Sequence, residues 1–194
     1  DVSRLKPYDF AKIGILRTFQ RSMPFAEMTL LENVLCGAVP VSAIGGLGGI
    51  FRTSRARSIL EEDRQKAIGF LQMVGLFEKR DMVAQNIAYG EQRRLEVARA
   101  LACNPKILLL DEPVAGMNPE ESLEMAKLIK CISESGLTIF AIEHNLDVVM
   151  NLCDMIYVLN HGEIIAQGKP NEIQNNEKVI EAYLGRRGIW RAAG

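Results

Sequence analysis

The pattern of apolar and polar positions changes period along this chain, and each change marks an element. Ile107-Leu108-Leu109-Leu110 is unbroken apolar sequence, the pattern of a strand covered on both faces. Leu137 to Ile142 is a similar run and predicts another buried strand. Ahead of the first run, Arg93 to Ala102 consists of good helix formers, with Leu95, Ala98, Leu101 and Ala102 on one face. Tyr89-Gly90 reads as a turn leading into that helix. Asn104-Pro105 stops it, because the residue before a proline is pushed out of the α region.

The same reading covers the rest of the chain. Tyr8 to Ile13 predicts a short helix and Ile13 to Phe19 an extended strand. Thr29 and Glu32 have the spacing of a capping box ahead of a helix from Leu30 to about Cys36. Ser58 to Val74 is amphipathic, with Leu60, Ala67, Phe70, Leu71 and Val74 as its candidate buried face and Gly75 closing it. Asn118, Pro119 and Glu121 form a helix start, and that helix runs to about Ser135. Asn145 to Cys153 reads as a short helix. Met155 to Leu159 and Glu163 to Gly168 read as a hairpin turning at His161-Gly162. Pro170 to Asn175 and Lys178 to Leu184 are short terminal helices, and Arg186 to Gly194 is a tail.

Composition narrows the class. At 194 residues the chain can form one domain with a real core. Lys plus Arg is 23 and Asp plus Glu is 24, a net charge of −1, which gives no reason to expect a nucleic-acid partner. Cys36, Cys103, Cys131 and Cys153 show neither CxxC nor metal spacing and are expected to be reduced, mostly buried thiols. The longest charge-free run, Val34 to Phe51, is interrupted by Pro40 and five glycines, so it reads as a loop and not a membrane span. Arg52, Arg55 and Arg57 form a small basic cluster, expected to be a solvated face.

The chemistry sits at strand ends. Asp111 and Glu112 follow the first apolar run directly, and in open α/β sheets ligands bind at that end. Two adjacent acids at the mouth of a buried strand are costly unless something cationic uses them. A divalent metal with an activated water would do so. Glu143 and His144 follow the other apolar run in the same way, whereas His161 reads as turn structure only.

The run from Ile87 to Pro113, IAYGEQRRLEVARALACNPKILLLDEP, resembles the signature motif and Walker B strand of an ABC-transporter ATPase. YGEQRRLEVARAL and LLLDEPVAGMNP are similar to the ATP-binding subunits of branched-chain amino-acid importers, and the resemblance extends from about Gly14 to Gly185. It implies an α/β fold: a partial P-loop NTPase (RecA-like) core of parallel strands with an inserted ABC helical subdomain. Residues 1–20 would be a core segment with the Q-loop, 21–104 the helical subdomain, 105–185 the remaining core and 186–194 the tail. The resemblance assigns Asp111 and Gln20 to Mg²⁺, Glu112 to the attacking water, and Gln20 and His144 to the water and γ-phosphate. Ala88, Tyr89, Gly90 and Glu91 would contact ATP held by the opposite subunit. Gly116 and Asn118 belong to a segment similar to the D-loop, which crosses to that subunit. It also implies ATP and Mg²⁺ as cofactors, a homo- or heterodimer partner, transmembrane permease subunits, a substrate-binding protein reached indirectly, and a peripheral place on the cytoplasmic face of the membrane.

The chain departs from the family pattern in two ways. No GxxxxGK[ST] occurs. GEIIAQGKP, residues 162–170, has one residue too many between its glycines and ends in proline. The resemblance therefore implies a protein shortened on its N-terminal side, and a non-hydrolysing subunit lending only its signature is the alternative reading. Ala88 also lacks the hydroxyl of the usual signature serine, and Glu91 carries a charge where glutamine is usual. Without a backbone cradle for phosphates, this 194-residue chain alone is expected to bind ATP poorly or not at all. A nucleotide titration at physiological salt checks this, and micromolar affinity would overturn it.

Overall fold

A computed structural model describes residues 6–18, 24–38 and 54–184. Gln20, Arg52, the glycine-rich connector beyond Ala38 and the tail from 186 onward lie outside the described residues, as does the side chain of Arg55. The chain divides into two compact units, Asp1–Ile142 and Glu143–Gly194.

In the first unit, α1 (Pro7–Lys12) leads into β1 (Ile15–Arg17), and α2 (Leu30–Ala38), α3 (Ser54–Met73) and α4 (Tyr89–Ala102) follow. Then come β2 (Ile107–Asp111), α5 (Pro119–Glu134) and β3 (Thr138–Ile142). Two caps form as their spacing predicts. The Thr29 hydroxyl accepts from the Glu32 N–H at 3.2 Å while the Glu32 carboxylate accepts from the Thr29 N–H at 2.8 Å. Asn118 accepts from the Glu121 N–H at 2.9 Å and its own N–H donates to the Glu121 carboxylate at 3.1 Å.

Helices α2, α3 and α4 share a core of Leu30, Val34, Ala67, Leu71, Val74, Leu95 and Ala98. Leu60 was expected on the buried face of α3 but is 57% exposed. Ala67 and Leu71 of α3 reach the core, as does Val74 just after it, with Ile68 and Phe70 packed against it, so the early turns of α3 project past it.

The sheet is parallel, in the order β1-β2-β3. Its register pairs Arg17 with Leu109 and Asp111 with Ile142. Leu108 and Leu110 are buried at 0% and 2% exposure. β3 was expected to be buried but is not: Phe140 and Ile142 are each 53% exposed. Among the described residues β3 is the edge of this sheet, so no neighbouring strand covers its far side. The thiols are also less buried than expected. Cys131 is exposed and the other three are half-buried. Cys131 lies on α5 outside its buried row of Ser122, Met125, Ala126, Ile129 and Ile132.

The second unit holds α6 (Leu146–Leu152), the antiparallel hairpin β4 (Ile156–Asn160) and β5 (Glu163–Gly168), then α7 (Pro170–Gln174) and α8 (Glu177–Leu184). Its small core gathers Ile156, Ile173 and Val179. The hairpin turns on His161 at φ 50° and Gly162 at φ 85°. Two consecutive positive φ angles are what a type I′ turn requires, so His161 serves the turn.

Helices α2 and α4 pack against each other at Gly37, where an added Cβ would overlap the Arg99 carbonyl oxygen. Replacing this glycine by alanine should gain about 1 kcal/mol of helix propensity. The overlap is with main chain, which no rotamer change relieves, and overpacking costs roughly 1–3 kcal/mol. Gly37→Ala is therefore expected to lower the thermal midpoint by a few degrees, read by differential scanning calorimetry.

Candidate functional site

The acids stand at the carboxyl end of β2. Asp111 is the last residue of the strand, and its side chain is 15% exposed. The Arg17 guanidinium on β1 donates to its Oδ2 from Nη2 at 2.7 Å. The register explains the pairing. Arg17 lies opposite Leu109, which shares a sheet face with Asp111, so the two charges are diagonal neighbours.

Glu112 leaves the strand with φ 48°, a left-handed conformation uncommon outside glycine and enriched at functional sites. Its N–H donates to the Ile142 carbonyl at 2.9 Å, and its carbonyl accepts from the Ala115 N–H at 3.1 Å. The chain therefore turns sharply through 112–116, and the Glu112 side chain escapes the alternation of β2.

The N-terminus of α4 meets the same loop. The Tyr89 hydroxyl donates to the Ala115 carbonyl at 3.1 Å. It also accepts from Arg93 Nε at 2.9 Å, and the Arg93 guanidinium pairs with Glu96 at 3.0 Å. Gly116 has φ 78°, and a Cβ there would sit 3.2 Å from the Tyr89 ring. A Cβ on Gly90 would lie 3.2 Å from the Glu121 carboxylate. Tyr89 and Gly90 are thus in the first turn of α4, with Ala88 as N-cap, and not in a turn ahead of it. The Glu91 carboxylate makes this possible by accepting from the Ala88 N–H at 3.2 Å.

Glu91 also carries an ion pair to Lys79 at 2.6 Å. Burial pushes the Glu91 carboxyl up, but the hydrogen bonds from Lys79 and the Ala88 N–H, with the charges of Lys79 and Arg94, outweigh it and hold it below the usual carboxylate range. The extra charge at this signature position is therefore neutralised within the chain.

The fold thus gathers Asp111, Glu112, Gly116 and Asn118 on one continuous segment, with Tyr89 and Gly90 against it. Asn118 serves as the cap of α5. Gln20 lies outside the described residues. His144 belongs to the second unit, where its N–H donates to the Glu143 carboxylate at 3.2 Å and Asn145 caps α6. Arg17 and the Tyr89 contact to Ala115 were not anticipated from sequence. The only available signal was that Arg17 lies in the strand expected over Ile13 to Phe19, three residues before Gln20, a strand that in the structure ends at Arg17.

Among the described residues no group of three or more His, Cys, Asp or Glu could cage a metal. A half-buried carboxylate that already pairs with a cationic side chain suits Mg²⁺ of another kind, bound by one or two carboxylates, waters and substrate phosphates. A cavity of about 450 Å³, lined by Phe70, Met73, Leu101, Lys106 and Leu137, lies at the opposite, amino-terminal ends of β2 and β3.

The chain has relatives among known proteins. The ABC transporter family model matches residues 2–115. The model for the branched-chain amino acid ATP-binding cassette transporter matches residues 163–188. The high-affinity branched-chain amino acid transport ATP-binding protein LivG of Escherichia coli (strain K12) is 43% identical over 176 residues, 90% of this chain and 69% of LivG. The ADP conformation of MJ1267, an ATP-binding cassette of an ABC transporter, superposes with TM-score 0.77 at 33% identity, covering 95% of this chain and 74% of that one. The dimeric post-hydrolysis ATP-binding cassette MJ0796, bound to ADP and Pi, gives TM-score 0.66 at 26% identity over 86% of this chain and 68% of that one.

Because folding favours ionised Glu91, its contribution to stability is full above the ordinary carboxylate pKa and fades as pH falls through the lowered value. Lys79→Met should leave only the Ala88 N–H and the Arg94 charge to oppose burial and move the Glu91 pKa upward, which a carboxyl-carbon NMR titration reads directly.

Proposed function

Because this chain belongs to the ABC transporter family of ATP-binding subunits, we propose that it is the ATP-hydrolysing, energy-coupling subunit of a bacterial importer of branched-chain amino acids. The substrate reading is supported by the LivG relative and by the match over residues 163–188. One observation carries the ATPase reading. Asp111 ends a strand, Glu112 leaves it in a left-handed conformation, and the exit loop is bonded to the N-terminus of the signature helix.

In this reading Asp111 holds Mg²⁺, which supplies charge neutralisation for the phosphates. Glu112 orients or deprotonates the attacking water. Gln20 and His144 position the water and the γ-phosphate. Ala88, Tyr89, Gly90 and Glu91 face ATP held by a second subunit. With no serine hydroxyl at Ala88, the attraction comes from main-chain N–H groups at the start of α4 and from its helix dipole. Gly116 and Asn118 belong to the segment that crosses to that subunit. The dimer is supported by the dimeric relative bound to ADP and Pi. Among the described residues no helix is long and apolar enough to cross a membrane, which fits a peripheral subunit docked on permease partners at the cytoplasmic face.

Glu112→Gln in the full gene product is expected to lower ATP turnover about 100-fold or more, the scale of a lost general base. ATP-dependent dimers should persist in size-exclusion chromatography with light scattering. Undiminished hydrolysis would reject the role given to Glu112.

A further inference from the structure

By the register of the three strands, one face of the sheet carries Ile15 and Arg17 on β1, Ile107, Leu109 and Asp111 on β2, and Thr138, Phe140 and Ile142 on β3. Arg17 and Asp111 are the two charged side chains among these. The partners differ in their freedom. Asp111 is 15% exposed and fixed at the strand end, whereas Arg17 is 55% exposed. The main chain of β1 is clamped beyond Arg17 by the Thr18 N–H, which donates to the Leu109 carbonyl at 2.9 Å. The Arg17 side chain is therefore fixed at its base and largely open to solvent beyond it.

We propose that Arg17 is an exchangeable counter-ion for Asp111, a positioning residue that neutralises the acid while no metal is bound and competes with the divalent cation that the acid receives. The inference rests on the reading of Asp111 as the Mg²⁺ holder. A half-buried carboxylate left without a cation is costly, so the resting protein needs a partner for it. A 2.7 Å charge-assisted hydrogen bond supplies one. A second, divalent charge beside the same carboxylate is repelled by the guanidinium. Because Arg17 is largely exposed, it can swing into solvent and so is a weak competitor.

The test uses the full gene product and its Arg17→Met and Arg17→Lys variants, with Mg²⁺ and a non-hydrolysable ATP analogue as probes. Exposed ion pairs contribute little, so Arg17→Met is expected to lower the Mg²⁺ concentration for half-maximal analogue binding by about fivefold, with Arg17→Lys close to wild type. In thermal unfolding with chelator, Arg17→Met should be the less stable protein, and the gap should close at saturating Mg²⁺ and analogue. A purely structural ion pair would instead lower the midpoint equally under both conditions and leave the Mg²⁺ requirement unchanged. That result, or a higher Mg²⁺ requirement in Arg17→Met, overturns the proposal. Asp111→Asn separates the two levels. If it shifts the Mg²⁺ dependence while Arg17→Met does not, the counter-ion role alone fails. If Asp111→Asn leaves it untouched, the metal assignment itself fails.

Discussion

The pairing of β2 between two parallel neighbours is the constraint from which the placement of the acids follows. Strand side chains alternate, so a slip of one residue would send Asp111 to the face now filled by Leu108 and Leu110. Burying those two leucines stabilises the register by about 1.5–3 kcal/mol each. The exposed arginine pairing with Asp111 contributes at most about 1 kcal/mol. Burial therefore sets the register, and the ion pair forms where the register has already put its members. Placing an acid at the mouth of this strand is a consequence of packing Leu108 and Leu110 before it.

Glu112 shows what the same alternation would do if it continued. An extended residue 112 would fall on the buried face with Leu108 and Leu110, where an ionised carboxylate is expensive. The chain adopts φ 48° instead. A left-handed non-glycine residue costs on the order of 1–3 kcal/mol, less than burying the charge. Hydrogen bonds to Ile142 and Ala115 hold the turn. The strained residue and the residue proposed to handle water are the same one, and a single local choice separates two adjacent acids into two environments.

What could be read in advance depended on sequence separation. The caps at Thr29 and Asn118 were legible because both partners lie within four residues. The buried face of α4 was legible from its period. The signature and Walker B wording located the acids and named the family. The contact of Arg17 with Asp111 spans 94 positions and that of Tyr89 with Ala115 spans 26, and no local pattern encodes either. Two expectations failed for a shared reason. An apolar run such as Leu137 to Ile142 reports that a strand can be covered, not that it is, and Leu60 fits its helix face without reaching the core. The start of α4 at Tyr89 was missed because glycine and tyrosine read as a turn, whereas Glu91 at the third position was the stronger signal.

The departures at the signature compensate one another. Glutamate in place of glutamine would repel phosphate if its charge faced outward, but Lys79 and the Ala88 N–H draw it back along the helix start. What α4 presents forward is then governed by its main-chain dipole more than by side-chain charge. Tyr89 adds a feature that glycine could not, since its ring packs at Gly116 and its hydroxyl reaches the Ala115 carbonyl. The start of the signature helix and the exit loop of β2 are thereby one mechanical piece. Any shift of α4 relative to Glu112 breaks a hydrogen bond worth about 1 kcal/mol and opens the ring contact. A link of that size holds the two in register.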